Sequence, residues 1–292
     1  MNVGLLGVGL MGAAIAERLH EKGHAVRVWN RTESSARPLE ALGIAPQTTP
    51  AEVLVWADRV ILTLSDANAI RDVLFAGDAG PALAGQVVVQ MGTIAPDESR
   101  SLARQVSGLG GRYLEAPVLG SIPEARSGRL IIMAGGDPLV FEDCRDLLGC
   151  LGECPSLVGD TGKGAALKLA MNQLIAALTA GFSLSLGLVR AEGIDVDRFM
   201  GLLRASALYA PTYDKKLDRM LTSDYGRPNF PLKHLLKDVA LFQAAAEVRG
   251  IDAGLLEPVR EACERARAAG LGDADYSAIY EAVTGNLAES GG

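Results

Sequence analysis

Residues 2–12 read NVGLLGVGLMG and residues 25–31 read AVRVWNR. The first piece opens as a short apolar strand, Asn2–Leu6, and passes at once into Gly7, Gly9 and Gly12 at G-x-G-x-x-G spacing. Residues 13–22 have helical composition and stop at Gly23, a glycine where helices end. Residues 25–29 are a second strand. Strand, glycine turn, helix, strand is the order of a dinucleotide-binding unit. Gly7 permits the tight turn, Gly9 lets backbone approach a pyrophosphate, and Gly12 lets helix and strand pack closely. The helix start, with Leu10 and Met11, offers unpaired N–H groups to phosphate. A lone glycine motif carries little weight and is elsewhere just a turn. After a strand and opening a helix, it is specific.

The residues after the second strand bear on cofactor choice. An NAD site places Asp or Glu there to hold the ribose 2′-hydroxyl. This chain has Asn30-Arg31-Thr32. A guanidinium pairs bidentately with phosphate oxygens, and a carboxylate would repel them. The expectation is NADP(H) over NAD(H), against the plainer reading of Arg31 as a solvated loop residue.

Strand–helix alternation continues. Residues 59–64 form a strand whose end, Leu64-Ser65-Asp66, should lie near the cofactor, because ligands sit at strand C-termini in such sheets. Residues 87–90 lead to Met91-Gly92-Thr93, and residues 113–118 lead to Leu119-Gly120-Ser121. Residues 130–134 form a further strand. Thr93 and Ser121 are hydroxyls at strand ends, candidates for ligand and also ordinary turn residues.

Residues 159–193 begin with Gly159, Gly162 and Gly164 and run on without proline; residues 169–189 carry no charge. The stretch reads as one long helix that Asp160 or Thr161 can cap. Lys168 is its last charge before the apolar run, and Asn172 follows at i+4 on the same face. On these residues alone Lys168 also reads as a lysine snorkelling from a core helix. The run has the length of a membrane span. Asn172, Gln173, Thr179, Ser183 and Ser185 within it favour instead the centre of a large protein or a subunit interface. Only helices are evident after residue 160, at 196–206, 213–221, 232–249 and 257–269. The fold class is therefore an α/β Rossmann-type doubly wound sheet over residues 1–160, joined by a long helix to an all-α domain over residues 161–292.

Totals exclude several classes. The 292 residues suffice for two domains. A formal charge of −7 argues against a nucleic-acid surface. Cys144, Cys150, Cys154 and Cys263 lack a histidine cluster, since His20, His24 and His234 are scattered, so no metal site is expected. No signal-peptide layout opens the chain, which leads to a cytoplasmic expectation. The tail after Leu287 is expected to be loose.

Four blocks now resemble a known family: GLLGVGLMG (4–12), LEAPVLGSIPEARSGRL (114–130), GDTGKGAALKLAMN (159–172) and FPLKHLLKD (230–238). The chain resembles the β-hydroxyacid dehydrogenases, which include 3-hydroxyisobutyrate, tartronate semialdehyde and 6-phosphogluconate dehydrogenases. With Asn30-Arg31-Thr32, the late block is most similar to the glyoxylate and succinic semialdehyde reductase branch. The resemblance implies that Lys168 is catalytic, with Asn172 holding the substrate or the lysine. It implies that Leu119, Gly120 and Ser121 line the substrate site with Thr93. Lys237 would lie near the nicotinamide, with Phe230 and Asp238 close by. Branch members commonly carry Ser where this chain has Leu119, a lost hydroxyl that bears on the substrate and not on the reaction class.

The implied activity is reduction of a small carboxylated aldehyde by NADPH, with Lys168 as general acid. Alternatives are a 3-hydroxyisobutyrate or tartronate semialdehyde type of dehydrogenase, an imine reductase, and a non-catalytic NADP-binding module. Imine reductases generally lack this lysine. The apolar helix and the resemblance lead to the expectation of a homodimer or homotetramer, with no nucleic-acid or membrane partner.

Overall fold

The computed structural model describes residues 1–287; the tail expected to be loose lies outside them. The chain divides into two compact units, Met1–Lys168 and Leu169–Gly292. In the first, strands β1 (Asn2–Leu6), β2 (Ala25–Trp29), β3 (Ala45–Pro46), β4 (Arg59–Leu62), β5 (Val87–Gln90), β6 (Arg112–Glu115), β7 (Val118–Leu119), β8 (Ile131–Gly136) and β9 (Ser156–Leu157) build one sheet. Helices α1 (Leu10–Glu21), α2 (Pro50–Trp56), α3 (Ala67–Leu74), α4 (Pro96–Gly108), α5 (Ile122–Ser127) and α6 (Pro138–Gly149) alternate with them. The sheet order is β3-β2-β1-β4-β5-β6-β8-β7, with β9 on β8.

Pairing is parallel from β3 through β6. Such a sheet is covered on both faces, so its strands are apolar throughout and their residues sort alternately into two cores. Val87 and Val89 of β5 join Val3, Leu5 and Ile61 in one core. Val88 joins Leu6, Val60 and Leu62 in the other. The sequence pattern, continuous Val/Ile/Leu and not alternation with polar residues, is thus the doubly wound arrangement itself.

The run expected as one strand over residues 113–118 breaks after Glu115. Pro117 has no N–H for a ladder, and the chain turns to pair β7 antiparallel with β8. The short strands β3 and β9 have too few residues to be seen as a pattern.

Helix α7 (Lys163–Ala191) begins in the first unit and runs into the second. Its hydroxyls are satisfied on its own backbone: Thr179 Oγ1 donates to Ile175 O at 2.7 Å and Ser183 Oγ to Thr179 O at 2.8 Å. That is how an all-round apolar helix accommodates them. The second unit adds α8 (Val196–Arg204), α9 (Pro211–Thr222), α10 (Leu232–Glu247), α11 (Glu257–Ala266) and α12 (Ile279–Thr284). α11 passes at Arg267 into one wider turn, Arg267–Leu271, and Gly270 at φ +87° ends the helical backbone expected over 257–269. Ala176 and Ala180 of α7 pack with Leu232, Leu235 and Val239 of α10. Phe182 stacks on Tyr213 at 4.6 Å and shares a second cluster with Leu186, Met200, Met220 and Tyr280.

Candidate active site

In the first unit the strand ends of β1, β2 and β4 build the cradle. Gly7 takes φ +103°, a left-handed conformation natural to glycine, and its N–H donates to Trp29 O at 2.9 Å. Thr63 Oγ1 donates to Gly7 O at 2.5 Å. Asn30 fastens the other side: its Oδ1 accepts from the Val8 N–H at 2.8 Å, and its Nδ2 donates to Thr32 O at 2.9 Å. A Cβ on Gly12 would overlap the Gly7 carbonyl, so close packing of α1 on the turn requires glycine there. A Cβ on Gly9, in contrast, would meet nothing within 4 Å. Gly9 and Leu10 are exposed, Met11 is half-buried, and Gly9, at the N-cap of α1, has no side chain to cap it. Open backbone in front of uncapped helix N–H groups fits a dinucleotide pyrophosphate.

Arg31 and Thr32 stand exposed at the end of β2. The nearby Glu33 carboxylate is occupied by Arg37 at 3.1 Å. Asn30 thus holds the loop, and Arg31 is an exposed cation beside it. Ser65 and Asp66 form a local cap. Asp66 Oδ1 accepts from the Ala69 N–H at 2.8 Å, and Ser65 Oγ donates to Asp66 Oδ2 at 2.7 Å. Leu64 is half-buried, its side chain part of the core under α2 and α3. Thr93, half-buried, follows β5 on a tight loop, where a Cβ on Gly92 would overlap Leu64 O.

After β7, Gly120 takes φ +135°, and a Cβ there would press on Leu130 and Glu124. Leu119 is half-buried. Ser121 caps α5, and its N–H and its hydroxyl both donate to Glu124 Oε2, at 2.8 and 2.6 Å. These two donors therefore already hold a carboxylate oxygen. Lys168, 8% exposed, closes the first unit on α7.

In the second unit, Asn172 lies one turn further along α7 and is 2% exposed. Its Nδ2 donates to Asp238 Oδ2 at 2.6 Å, and Lys237 Nζ lies 3.2 Å from Asp238 Oδ1. Asn172 Oδ1, buried, accepts no hydrogen bond from the described residues. A buried polar atom of this kind is costly unless something supplies a donor. Phe230 stacks beside His234 at 6.3 Å, and burial holds the His234 pKa below its ordinary value. Asn172, Lys237 and Asp238 come together because α10 packs on α7, while Phe230, just before α10, packs on the same apolar cluster beside His234 and Tyr276.

Sequence reading missed two residues. Thr63 gave no signal beyond lying at a strand end. Glu115 did: it is a lone acid in the run YLEAPV of a covered sheet, where an unpaired charge cannot be buried cheaply. It is 1% exposed.

Residues 2–159 match the NAD binding domain of 6-phosphogluconate dehydrogenase, and residues 162–283 match the NAD-binding of NADP-dependent 3-hydroxyisobutyrate dehydrogenase. Glyoxylate/succinic semialdehyde reductase 1 of Arabidopsis thaliana is 36% identical over 287 residues, spanning 97% of this chain and 98% of its own length. The chain belongs to the β-hydroxyacid dehydrogenase family. It is thereby an NAD(P)-dependent oxidoreductase. A second family member, glyoxylate/succinic semialdehyde reductase 2 (chloroplastic) of the same plant, is 32% identical over 286 residues, covering 97% of this chain and 79% of that one. A crystal structure of 3-hydroxyisobutyrate dehydrogenase from Salmonella typhimurium shares the fold, with a TM-score of 0.87 at 23% identity, covering 96% and 99% of the two chains.

Asn30→Ala removes the anchor of the Val8 N–H. A hydrogen bond is worth about 1 kcal/mol net, so the Kd for NADPH should rise about fivefold to tenfold, measured by nucleotide fluorescence titration, while the melting temperature falls by only a few degrees.

Proposed function

We propose that this protein is an NADPH-dependent reductase of small carboxylated aldehydes, glyoxylate and succinic semialdehyde first among them, with Lys168 as general acid. The observation that carries the reading is Lys168 itself, a lysine 8% exposed on α7 with Asn172 one turn on. Support for the substrate class comes from the relatives named for those two aldehydes.

The cofactor, when bound, supplies the hydride. What remains for the protein is to bind, orient and protonate. As an ammonium, Lys168 donates to the carbonyl oxygen, stabilises the negative charge that develops there, and delivers the proton. Asn172 contributes its buried Oδ1 as an acceptor and is itself held by Asp238 through Nδ2. The Ser121 N–H and hydroxyl hold the Glu124 carboxylate, so the same donors suit a substrate carboxylate that displaces it. Leu119 gives that end of the site an apolar side chain where the branch commonly has serine. Thr93 and Gly120 are further candidates in the first unit, and in the second Lys237 lies 3.2 Å from Asp238 with Phe230 beside His234.

Arg31 and Thr32 favour the 2′-phosphate of NADP(H) over the 2′-hydroxyl of NAD(H). The second reading, a dehydrogenase for 3-hydroxyisobutyrate or tartronate semialdehyde, uses the same lysine and cradle. It is favoured by the fold shared with 3-hydroxyisobutyrate dehydrogenase. We further propose that a second copy of the chain covers α7. Leu174, Leu178, Leu184 and Leu188 remain exposed along it, an uncharged stripe that a homodimer or homotetramer would bury.

The first test is steady-state kinetics with glyoxylate, succinic semialdehyde, tartronate semialdehyde, 3-hydroxyisobutyrate and a cyclic imine, with NADPH and NADH in parallel. Lys168→Met should lower kcat on the preferred aldehyde by at least about a hundredfold while the Kd for NADPH stays within about threefold. A kcat within tenfold of the parent would sink the general-acid assignment. Arg31→Glu should cut kcat/KM for NADPH by about a hundredfold and spare NADH, corresponding to about 3 kcal/mol of lost phosphate pairing; equal losses with both cofactors would refute the selectivity argument. Light scattering after gel filtration should give a mass of two or four chains, and a monomer would rule out the partner copy.

A further inference from the structure

The buried acid missed in the sequence sits at the last position of β6. Glu115 Oε1 accepts three backbone N–H groups at the start of α7: Gly162 at 2.8 Å, Gly164 at 2.7 Å and Ala165 at 3.2 Å. Its Oε2 accepts the hydroxyl of Ser99 on α4. Because that proton goes to the carboxylate, the 3.0 Å contact between Ser99 Oγ and Tyr113 runs with the tyrosine as donor. The site is built around the carboxylate. A Cβ on Gly135 would overlap Oε1, and a Cβ on Gly164 would overlap Met133 O. Burial pushes the Glu115 carboxyl above the usual range, against the Ser99 hydroxyl and the three N–H groups that pull it down.

Gly164 and Ala165 stand four and three residues before Lys168, on the same face of the helix. Helical side chains lean back over the turn that precedes them. The turn gripped by Glu115 is therefore the one over which Lys168 lies. With the first N–H groups of the helix tied to one oxygen, α7 has a single rotational setting about its axis at this end. The same residue ends the strand that leads, five residues on, to Gly120.

We propose that Glu115 is a positioning residue for the reaction, setting the aim of Lys168 by locking the first turn of α7 to the end of β6. Glu115 acts through Lys168 and not by contact with substrate or cofactor. The inference rests on the reading of Lys168 as general acid, yet its test need not. Lys216 serves as an internal control, since it is buried elsewhere against Asp275 at 2.8 Å.

The experiment compares the parent with Glu115→Ala and Glu115→Gln by kinetics and by NMR titration of ¹³C-labelled lysine, with Lys168 assigned through Lys168→Met. Glu115→Ala should lower kcat about a hundredfold, the cost of misplacing a reacting group by about 1 Å, with the Kd for NADPH within twofold. The Lys168 titration midpoint should move and that of Lys216 should not. Glu115→Gln keeps an acceptor for the N–H groups but loses the charge, so kcat should fall only about threefold to tenfold, with a smaller shift of Lys168. If Glu115→Ala folds with parental kcat and an unmoved Lys168 midpoint, the proposal is wrong. It is also wrong if both lysines move together, which marks general loosening. Should Glu115→Ala not fold, Glu115→Gln decides by the same readings. If the parent reduces none of the aldehydes, the functional reading fails by itself, and the lysine titrations alone decide the role of Glu115.

Discussion

One carboxylate joins the sheet to the long helix. Glu115 lies at the end of β6 with its oxygens committed to Ser99 and to the N–H groups that open α7. A helix start that is buried leaves several donors without intrahelical partners, and a charged acceptor satisfies three of them through one atom. The charge in turn is accommodated in the interior because both carboxylate oxygens find donors. Cap and buried acid each remove the other's penalty. Asp160 and Thr161 stand nearer in sequence, but these N–H groups are taken by a residue some fifty positions earlier.

The dinucleotide cradle is organised by the same economy of backbone groups. Trp29, Thr63 and Asn30 each hold one atom of the Gly7–Val8 turn, and the packing of Gly12 against Gly7 leaves no room for a side chain. Rigidity lies on the inner side of the loop and openness on the outer, at Gly9. That division is what a backbone-lined phosphate site needs: donors held still before the ligand arrives. In the second unit the polar group of Asn172, Asp238 and Lys237 is built on the contact of α7 with α10. There a buried amide is half satisfied by protein and keeps one acceptor facing inward.

Much of this was legible in the chain. The glycine spacing after β1 and the unbroken apolar strands dictated a covered parallel sheet, because the turn requires glycine at Gly7 and Gly12 and only a doubly covered sheet buries both strand faces. The run from Lys163 onward had no proline, and residues 169–189 carried no charge, so a long helix followed from propensity. Lys168 and Asn172 were visible as polar exceptions within it. Antiparallel pairing of β8 was not legible, since a strand's partner is set by packing far along the chain and not by its own residues. Nor was the division of the 113–118 run, although Pro117 explains it afterwards.

Sequence by itself determined which residue types stand at each turn and helix face, hence the fold class and the list of candidate groups. Those are local consequences of backbone sterics and of hydrophobic period. Tertiary structure alone decided the polar partners that are remote in sequence. Thr63 holds Gly7, Asn30 holds Val8, and Glu115 holds the start of α7. The reason is physical: a hydrogen bond acts over about 3 Å, and which atoms come within that distance depends on how segments remote in sequence pack together.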